Sequence, residues 1–369
     1  MSEQDDVREA VDRVRDRVMQ GETPLQAMAR HGETGRSRLR SIERFPYYTA
    51  YPLGWYRAAF SESLCAGEVV PAHYLGRDLV VWRDDAGEAH VMDAYCPHLG
   101  AHLGYGGRVE GCELVCPFHW WRFDREGCNV EVPYERSRHP TARLHAYPTV
   151  ERNGLVLFWY HPTGAAPLWE IPEIAPLADE SDTAWTRSDR RRWELAIPWQ
   201  EFAENGPDFI HLRTVHGAVD VPELESYELD GWQTRLRARV NFDTPRGPHP
   251  GRIDTDGWGP GFSVARFSGI LEACFVAAST PVDFETLEVT HSYKVRYLGS
   301  YEAARARTRR VGEALVRDLV AQVEEDRVIF EHKICQMKPR LSKADGPIAH
   351  FRRWAERFYV AGDPRARNG

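Results

Sequence analysis

Two short stretches of this 369-residue chain carry cysteine and histidine at spacings suited to metal chemistry. CPHLGAHLG begins at Cys96 and CPFHWWRFD at Cys116. The residues of ligand type are Cys96 and His98 and then, after 17 further residues, Cys116 and His119. Each loop offers one thiolate and one imidazole, and Pro97 and Pro117 stiffen both at the same place. A binuclear iron–sulfur cluster needs four ligands. Two mixed loops supply two sulfurs to one iron and two nitrogens to the other if each loop straddles the cluster. Structural zinc is the competing reading, but a Cys2His2 finger pairs Cys with Cys and His with His at short spacing. His102, Cys112 and Cys128 lie near these four and are expected in packing or support.

A second pair of histidines, His211 and His216, lies in FIHLRTVHG, which otherwise reads as helical. Histidines that bind one metal from a helix are usually four apart, on one face. Five apart, on a regular helix, they diverge by about 140°. They can share a metal only if the helix is widened or broken there, which Gly206, Pro207 and Gly217 favour. In isolation the pair reads as two core histidines. Beside a cluster that stores electrons but has no open coordination position, it reads as two-thirds of a two-His, one-carboxylate iron site.

Three acids compete for the remaining ligand position in QVEEDRVIFEHK: Glu324, Glu325 and Asp326. Leu319, Val323 and Phe330 form one helical stripe, and Asp326 falls inside it while Glu324 and Glu325 point off it. A lone acid on a buried apolar face is costly unless paired or metal-bound. Asp326 is therefore the expected ligand, with a core Asp–Arg pair as its alternative.

The elements that must position these residues come in two textures. From about Tyr48, short apolar runs are punctuated by Gly, Pro and Asp. DLVVWRDD (from Asp78), EAHVMDAY (from Glu88), GCELVCP (from Gly111) and NGLVLFWY (from Asn153) predict strands of a small β domain. HPTGAAP, from His161, is a linker. Beyond it a helical segment follows Ile197, two strand-like runs follow from Ser263 and Leu287, and long helices begin near Tyr301. Strands followed by helices make an α+β chain. The Gly/Pro-rich stretch from Arg246 to Phe262 reads either as a lid or as a surface connection. Val7, Val11, Val14 and Val18 make one stripe on an N-terminal helix, which either packs on its own body or serves as an oligomerisation arm.

Composition narrows the partners. A net charge of -8 argues against a nucleic-acid partner and for a small molecule or a protein. The N-terminus is acidic with no apolar run, and the longest apolar run, GLVLFWY, is too short to span a membrane. Seven cysteines, an odd number, fit a cytoplasmic setting with metal-bound or free thiols better than a disulfide framework.

CPHLGAHLGYGG together with CPFHWWRFD resembles the Rieske domain of ring-hydroxylating and related oxygenases, with Cys96, His98, Cys116 and His119 in the ligand positions of a [2Fe–2S] cluster. One departure is Trp120, where the family usually has Gly or another small or polar residue. AENGPDFIHLRTVHG, from Ala203, resembles the iron-binding segment of the catalytic domains of these enzymes. By that resemblance His211, His216 and Asp326 hold a mononuclear Fe(II), and Asn205 lies close to it. Asp208 links His211 to a cluster histidine of a neighbouring subunit in a head-to-tail homotrimer. GWGPGFSVARFSG, EEDRVIFEHKICQMKPRLSKADGP and FRRWAERFYV resemble the 3-ketosteroid 9α-hydroxylase and cholesterol 7-desaturase branch.

The resemblance runs from about Phe45 to Gly362. It implies an N-terminal helical arm over 1–45, an all-β Rieske domain over 46–162, and a helix-grip-like catalytic domain with an antiparallel sheet and helices over 163–369. It also implies a monooxygenase or desaturase that uses O2 and electrons drawn from NAD(P)H through a separate ferredoxin or flavin reductase. The substrate would be a hydrophobic, steroid-like polycycle, or alternatively a non-steroid natural product or aromatic compound. Phe202, Phe209, Ile210, Trp258, Phe262, Phe267, Leu271 and Phe275 are the candidates for an apolar pocket, with ordinary core as the alternative for each. A protein that only transfers electrons would have no need of the second iron site, and a metal-bound sensor would turn nothing over.

Overall fold

The computed structural model describes residues 44–360 apart from 46, 47, 49, 179 and 245. The valine stripe from Val7 to Val18 lies outside the described residues. The described residues form two compact units: one holds residues 50–178 with 279–283 and 358–360, and the other holds 180–278 and 284–357 with Arg44, Phe45 and Tyr48.

In the first unit the punctuated apolar runs become eleven short strands. β1 (Gly54–Phe60), β11 (Leu155–Tyr160) and β10 (Thr149–Arg152) make one antiparallel sheet in that order. The uninterrupted apolar run LVLFWY is its middle strand, buried at every position. β2 (Val69–Tyr74), β3 (Arg77–Arg83), β4 (Ala89–Asp93) and β9 (Ala146–Tyr147) make a second sheet. β5 (Arg108–Glu110), β6 (Glu113–Val115), β7 (Arg122–Phe123) and β8 (Asn129–Glu131) make a third. Val80, Trp82, Met92, Leu114 and Phe123 fill the core between strands, and Cys96 and Cys116 are buried in that same cluster. The short helix α1 (Ala175–Ala178) also belongs to this unit.

The second unit is built on a seven-stranded sheet of order β12-β18-β17-β16-β15-β14-β13. These strands are β12 (Asp189–Leu195), β13 (Glu223–Asp230), β14 (Gln233–Phe242), β15 (His249–Trp258), β16 (Phe262–Ser268), β17 (Ala273–Pro281) and β18 (Leu287–Val295). Period-2 alternation gives the sheet two chemically different faces. On one, Arg237 and Arg266 bracket Asp256 at 2.7 and 2.6 Å. On the other, Phe267, Leu271, Ala273 and Val295 pack against Leu315 and Leu319 of a 31-residue helix, α4 (Glu302–His332). Each large apolar side chain fully buried there contributes roughly 1.5–3 kcal/mol. The helix can come close because small residues face the sheet near its start: a Cβ on Gly312 would lie 3.0 Å from Val295 Cγ2. Among the described residues the unit also has three short α-helices: α2 (Trp199–Ala203), α3 (Ile210–Thr214) and α5 (Ile348–Ala355). The architecture is α+β, a β domain followed by a long helix laid on an antiparallel sheet.

The Arg246–Phe262 stretch departs from its expectation. It is neither lid nor surface connection: most of it is β15, paired along its length with β14 from Gln233↔Trp258 to Phe242↔His249. Gly251 and Gly257 within it allow close approach of neighbouring side chains and backbone. A Cβ on Gly251 would sit 2.3 Å from Phe242 Cε2 and 2.4 Å from Ser268 O.

A buried histidine lies on the helix-facing side of this sheet. His291 in β18 is flanked by Trp193, Phe275 and Tyr293, with ring centroids 5.0, 4.8 and 5.5 Å away. Burial pushes its pKa down to about 3. The unfolded chain takes up a proton there near pH 6.5, which the folded chain refuses until about pH 3. The associated stability is therefore fully present above pH 6.5 and is lost as the pH falls through that window. The loss is on the order of 4 kcal/mol. Chemical denaturation of the parent and of His291→Phe at pH 7 and pH 4 checks this: the variant should lose markedly less stability on acidification. An equal loss in both would show that His291 does not control it.

Candidate metal centre

The four residues of the upstream motif sit on two turns with the same backbone design. Val115↔Arg122 closes the β6–β7 hairpin around Cys116–Trp121, and the Tyr95↔His102 bridge closes an equivalent turn around Cys96–Ala101. In each turn the cysteine amide donates to the carbonyl five residues on, Ala101 or Trp121, at 2.9 Å. In each, the cysteine carbonyl accepts from the amide four residues on, Gly100 at 2.9 Å or Trp120 at 3.1 Å. Both fifth residues are left-handed, Gly100 at φ +74° and Trp120 at φ +60°. Glycine adopts that conformation freely, whereas a side chain costs roughly 1–2 kcal/mol there. Trp120 thus occupies a glycine-type position, with its ring 58% exposed and the Arg108 guanidinium 5.3 Å from the ring centroid.

The two turns sort their ligands by type. Cys96 and Cys116 lie together in the core. Their closeness lowers the pKa of Cys116 and raises that of Cys96. His98 and His119 lie together nearer the surface, ring centroids 4.7 Å apart, with His98 stacked on Trp121 at 4.5 Å. His119 Nδ1 is buried and has no hydrogen-bond partner. An orphaned buried nitrogen is expensive, and coordination would satisfy it. Two sulfurs on one side and two nitrogens on the other fit a binuclear cluster of mixed ligation. A single zinc ion would need all four to converge on one point. Among the described residues, only His211, His216 and Asp326 gather three ligand atoms within 4.8 Å of one another. His102 instead accepts from the Gly104 amide (3.0 Å), and exposed Cys112 accepts from Arg125 (3.1 Å).

The second constellation comes from α3 and α4. α3 stops at Thr214, and its last turn opens: the amides of Val215 and His216 both reach His211 O, at 2.7 and 3.4 Å, and that of Ala218 reaches Leu212 O at 2.9 Å. Gly217, at φ +64°, ends the segment. This widening brings the two imidazoles to a centroid separation of 5.1 Å, nearly perpendicular. It overcomes the divergence that a regular helix would impose.

Each ring is held from behind. His211 Nδ1 bonds the Asp208 carbonyl at 2.5 Å, which turns Nε2 inward. The Asp208 carboxylate accepts from the amides of Ile210 (3.1 Å) and His211 (3.4 Å) at the start of α3. His216 Nδ1 bonds Glu325 at 2.7 Å while its Nε2 lies 3.3 Å from Asp326. Asn205 Nδ2 donates to the other Asp326 oxygen at 2.7 Å. Burial alone would depress the pKa of His216, but hydrogen bonds to Asp326 and Glu325 outweigh it and raise it to about 9. Burial is the larger effect at His211, whose pKa is lowered.

Burial along this part of α4 does not follow the apolar stripe on which Asp326 was expected. Glu324 and Glu325 are buried, at 3% and 4% exposure, and Asp326 is less so. At this height α4 is enclosed on more than one side. Glu324 accepts from Trp193 Nε1 (2.9 Å) and pairs with Arg327 (3.1 Å), and Glu325 faces His216. Asp326 pairs with His216 and Asn205 rather than with an arginine. Glu325, read from the sequence only as a competing ligand, is the residue that orients His216. A buried His–carboxylate contact across 109 residues leaves no local signal.

The expected pocket residues fall into separate groups. Phe267, Leu271 and Phe275 lie under α4 with Leu315 and Leu319. Phe209 packs with Leu236 and Ala238. Phe202 meets Phe330 at 5.6 Å, and Trp258 meets Phe262 at 5.9 Å. Ile210, the first residue of α3, is only partly buried.

Comparison with known proteins gives two family matches. Residues 54–148 match the Rieske [2Fe-2S] domain, and residues 158–359 match the 3-ketosteroid 9alpha-hydroxylase C-terminal domain. A cholesterol 7-desaturase (nvd 1) of Ciona intestinalis is 30% identical over 340 residues, 85% of this chain and 70% of that one. The oxygenase component of a 3-ketosteroid-9-alpha-monooxygenase of Rhodococcus rhodochrous is 28% identical over 347 residues, 89% of this chain and 85% of that one. Among solved structures, dicamba monooxygenase bound to dicamba superposes with a TM-score of 0.64 at 18% identity, over 83% of this chain and 96% of that one, a likeness of fold.

Replacing Glu325 with Ala is expected to weaken divalent-metal binding at His211, His216 and Asp326 by about 10–100-fold, as loss of an orienting partner does. Titration with Fe(II) or Co(II) under anaerobic conditions measures it. The visible spectrum of the cluster should not change. Unaltered metal affinity would deny Glu325 this part.

Proposed function

The chain belongs to the 3-ketosteroid 9α-hydroxylase family of Rieske oxygenases, and from that membership we propose that it hydroxylates or desaturates an apolar, steroid-like polycycle. It is an oxidoreductase with a Rieske [2Fe–2S] domain. The observation that carries the reading is the meeting of His211, His216 and Asp326 in the same unit as the apolar layer of Phe267, Leu271 and Phe275. An electron carrier has no use for such a trio.

In this reading Cys96, Cys116, His98 and His119 hold the cluster, and His211, His216 and Asp326 hold an iron(II). These groups supply single electrons and dioxygen-activating chemistry that no side chain has. The rest falls to the chain itself. The Asp208 carbonyl and Glu325 aim the imidazoles, Asn205 aims Asp326, and the apolar side chains under α4 bind substrate and exclude water. Hydroxylation consumes O2, two electrons and two protons and yields one alcohol and one water; desaturation yields an alkene and two waters. The two electrons come from outside the chain, so a separate ferredoxin or flavin reductase drawing on NAD(P)H would be the partner. The relatives named for cholesterol and 3-ketosteroids support a steroid-type substrate.

The functional division we propose is an arm over 1–45, a cluster domain over 46–162 and a catalytic domain over 163–369. Three copies arranged head to tail would bring one subunit's cluster to its neighbour's Asp208. The Asp208 side chain is 32% exposed, which leaves it open to such a contact.

An NADH-consumption screen with a surrogate reductase and a steroid panel tests the activity. At least one steroid should drive oxygen uptake and give a product heavier by one oxygen or lighter by two hydrogens, with three irons per chain. A panel in which nothing reacts or uncouples removes the steroid reading, and an iron content of two or fewer removes the oxygenase reading. Asp208→Ala should keep a cluster that reduces normally while turnover falls about a hundredfold. Normal turnover in that variant would remove the bridge between subunits.

A further inference from the structure

The inner face of the seven-stranded sheet carries a polar pair that the chemistry above does not use. His291 and Tyr293 stand two apart on β18, on the side that faces α4. His291 is 8% exposed, and its Nδ1 lies 2.7 Å from the Tyr293 hydroxyl. Among the described residues that hydroxyl is the one hydrogen-bond partner of either ring nitrogen. Aromatic rings surround the pair: Trp193 and Phe275 against His291, and Phe275 at 5.2 Å from Tyr293.

The proton arrangement follows from satisfying these groups. Burial holds the Tyr293 hydroxyl protonated and His291 neutral. A neutral imidazole has one N–H and one acceptor nitrogen. If Nδ1–H donated to the tyrosine, the Tyr293 proton and the Nε2 lone pair would both lack partners. If Tyr293 donates to Nδ1, a single group is left over, the N–H on Nε2. The second arrangement costs less, so Tyr293 fixes the tautomer and Nε2 is a donor. Nε2 is not among the fully buried unpartnered nitrogens, so this donor without a protein partner borders space that an outside acceptor can reach. The layer around it is not filled solid: Ile253, Phe275, Leu315 and Leu319 are only partly buried. The same layer leads to the metal trio, because Leu319 and Asp326 share α4, two turns or about 10 Å apart.

We infer that His291 is the polar anchor of the substrate site: its Nε2–H donates a hydrogen bond to a carbonyl or hydroxyl oxygen carried by an otherwise apolar polycycle. The inference rests on the steroid-type reading above and adds to it the group that selects and orients the ligand. An apolar wall discriminates poorly between similar hydrocarbons, whereas one buried donor separates ligands with and without an oxygen in reach. His291 then fixes which end of the molecule points away from the reacting carbon.

The test is equilibrium binding to the holoenzyme, followed by tryptophan fluorescence, of three probes: two steroids with a single ketone at opposite ends of the ring system, and the parent hydrocarbon. The unaltered protein should prefer one ketone to the hydrocarbon by about tenfold or more. In His291→Phe that preference should vanish while hydrocarbon affinity holds. Tyr293→Phe, nearly isosteric, frees Nδ1 and should cut the preference by about threefold or more. Product analysis should show loss of regioselectivity in both variants. A ketone preference that survives His291→Phe, or that Tyr293→Phe leaves intact, overturns the inference alone. If the unaltered protein binds none of the three, the steroid reading falls and this inference falls with it.

Discussion

His216 is gripped at both ring nitrogens by consecutive acids of one helix, Glu325 at 2.7 Å and Asp326 at 3.3 Å. Two carboxylates and an imidazole, all mostly buried, would be costly to desolvate singly. Together they satisfy one another, and Asn205 takes the remaining Asp326 oxygen. The arrangement tolerates little displacement, because a shift of α4 along its axis would break both contacts at once. The packing that fixes α4 on the sheet is therefore part of what holds this proposed metal site together. Gly312 against Val295, Leu315 and Leu319 against the inner face, and Trp193 bonded to Glu324 all set its height.

The cluster site achieves its order through backbone rather than side chain. Two six-residue turns share the same hydrogen bonds, although the histidine follows its cysteine by two residues in one and by three in the other. Equal backbones with unequal spacing present both sulfurs to the core and both rings to the surface. The left-handed fifth position is the constraint, and Trp120 meets it at a conformational cost. In return a large ring stands exposed next to His119 in the chain, and Phe118 on the other side of His119 is exposed too.

The seven-stranded sheet carries different chemistries on its two faces. Arg237, Asp256 and Arg266 pair on one, and aromatic and aliphatic side chains face α4 on the other. A protonatable histidine on the inner face is tolerated only because burial keeps it neutral and a tyrosine satisfies one nitrogen.

Much of this was legible in the residues alone. Mixed Cys/His pairs select the cluster type because ligand number and softness are properties of the residues themselves. The five-residue spacing of His211 and His216 required a distorted helix, since no regular one lets both rings meet, and α3 does open there. The strands around the cluster followed from short apolar runs. Other features depended on neighbours distant in sequence. Glycines from Arg246 to Phe262 looked like freedom and are close packing, because the strands that crowd Gly251 come from elsewhere. Asp326 was singled out by a stripe that does not describe the helix, since α4 is enclosed on several sides. Its partnership with His216, the orienting role of Glu325 and the His291–Tyr293 pair exist only once α4 lies on the sheet. Residue type and local spacing determine which groups can bind metal. Only long-range packing decides which nitrogen faces which acid, because that is fixed by contacts between segments a hundred residues apart.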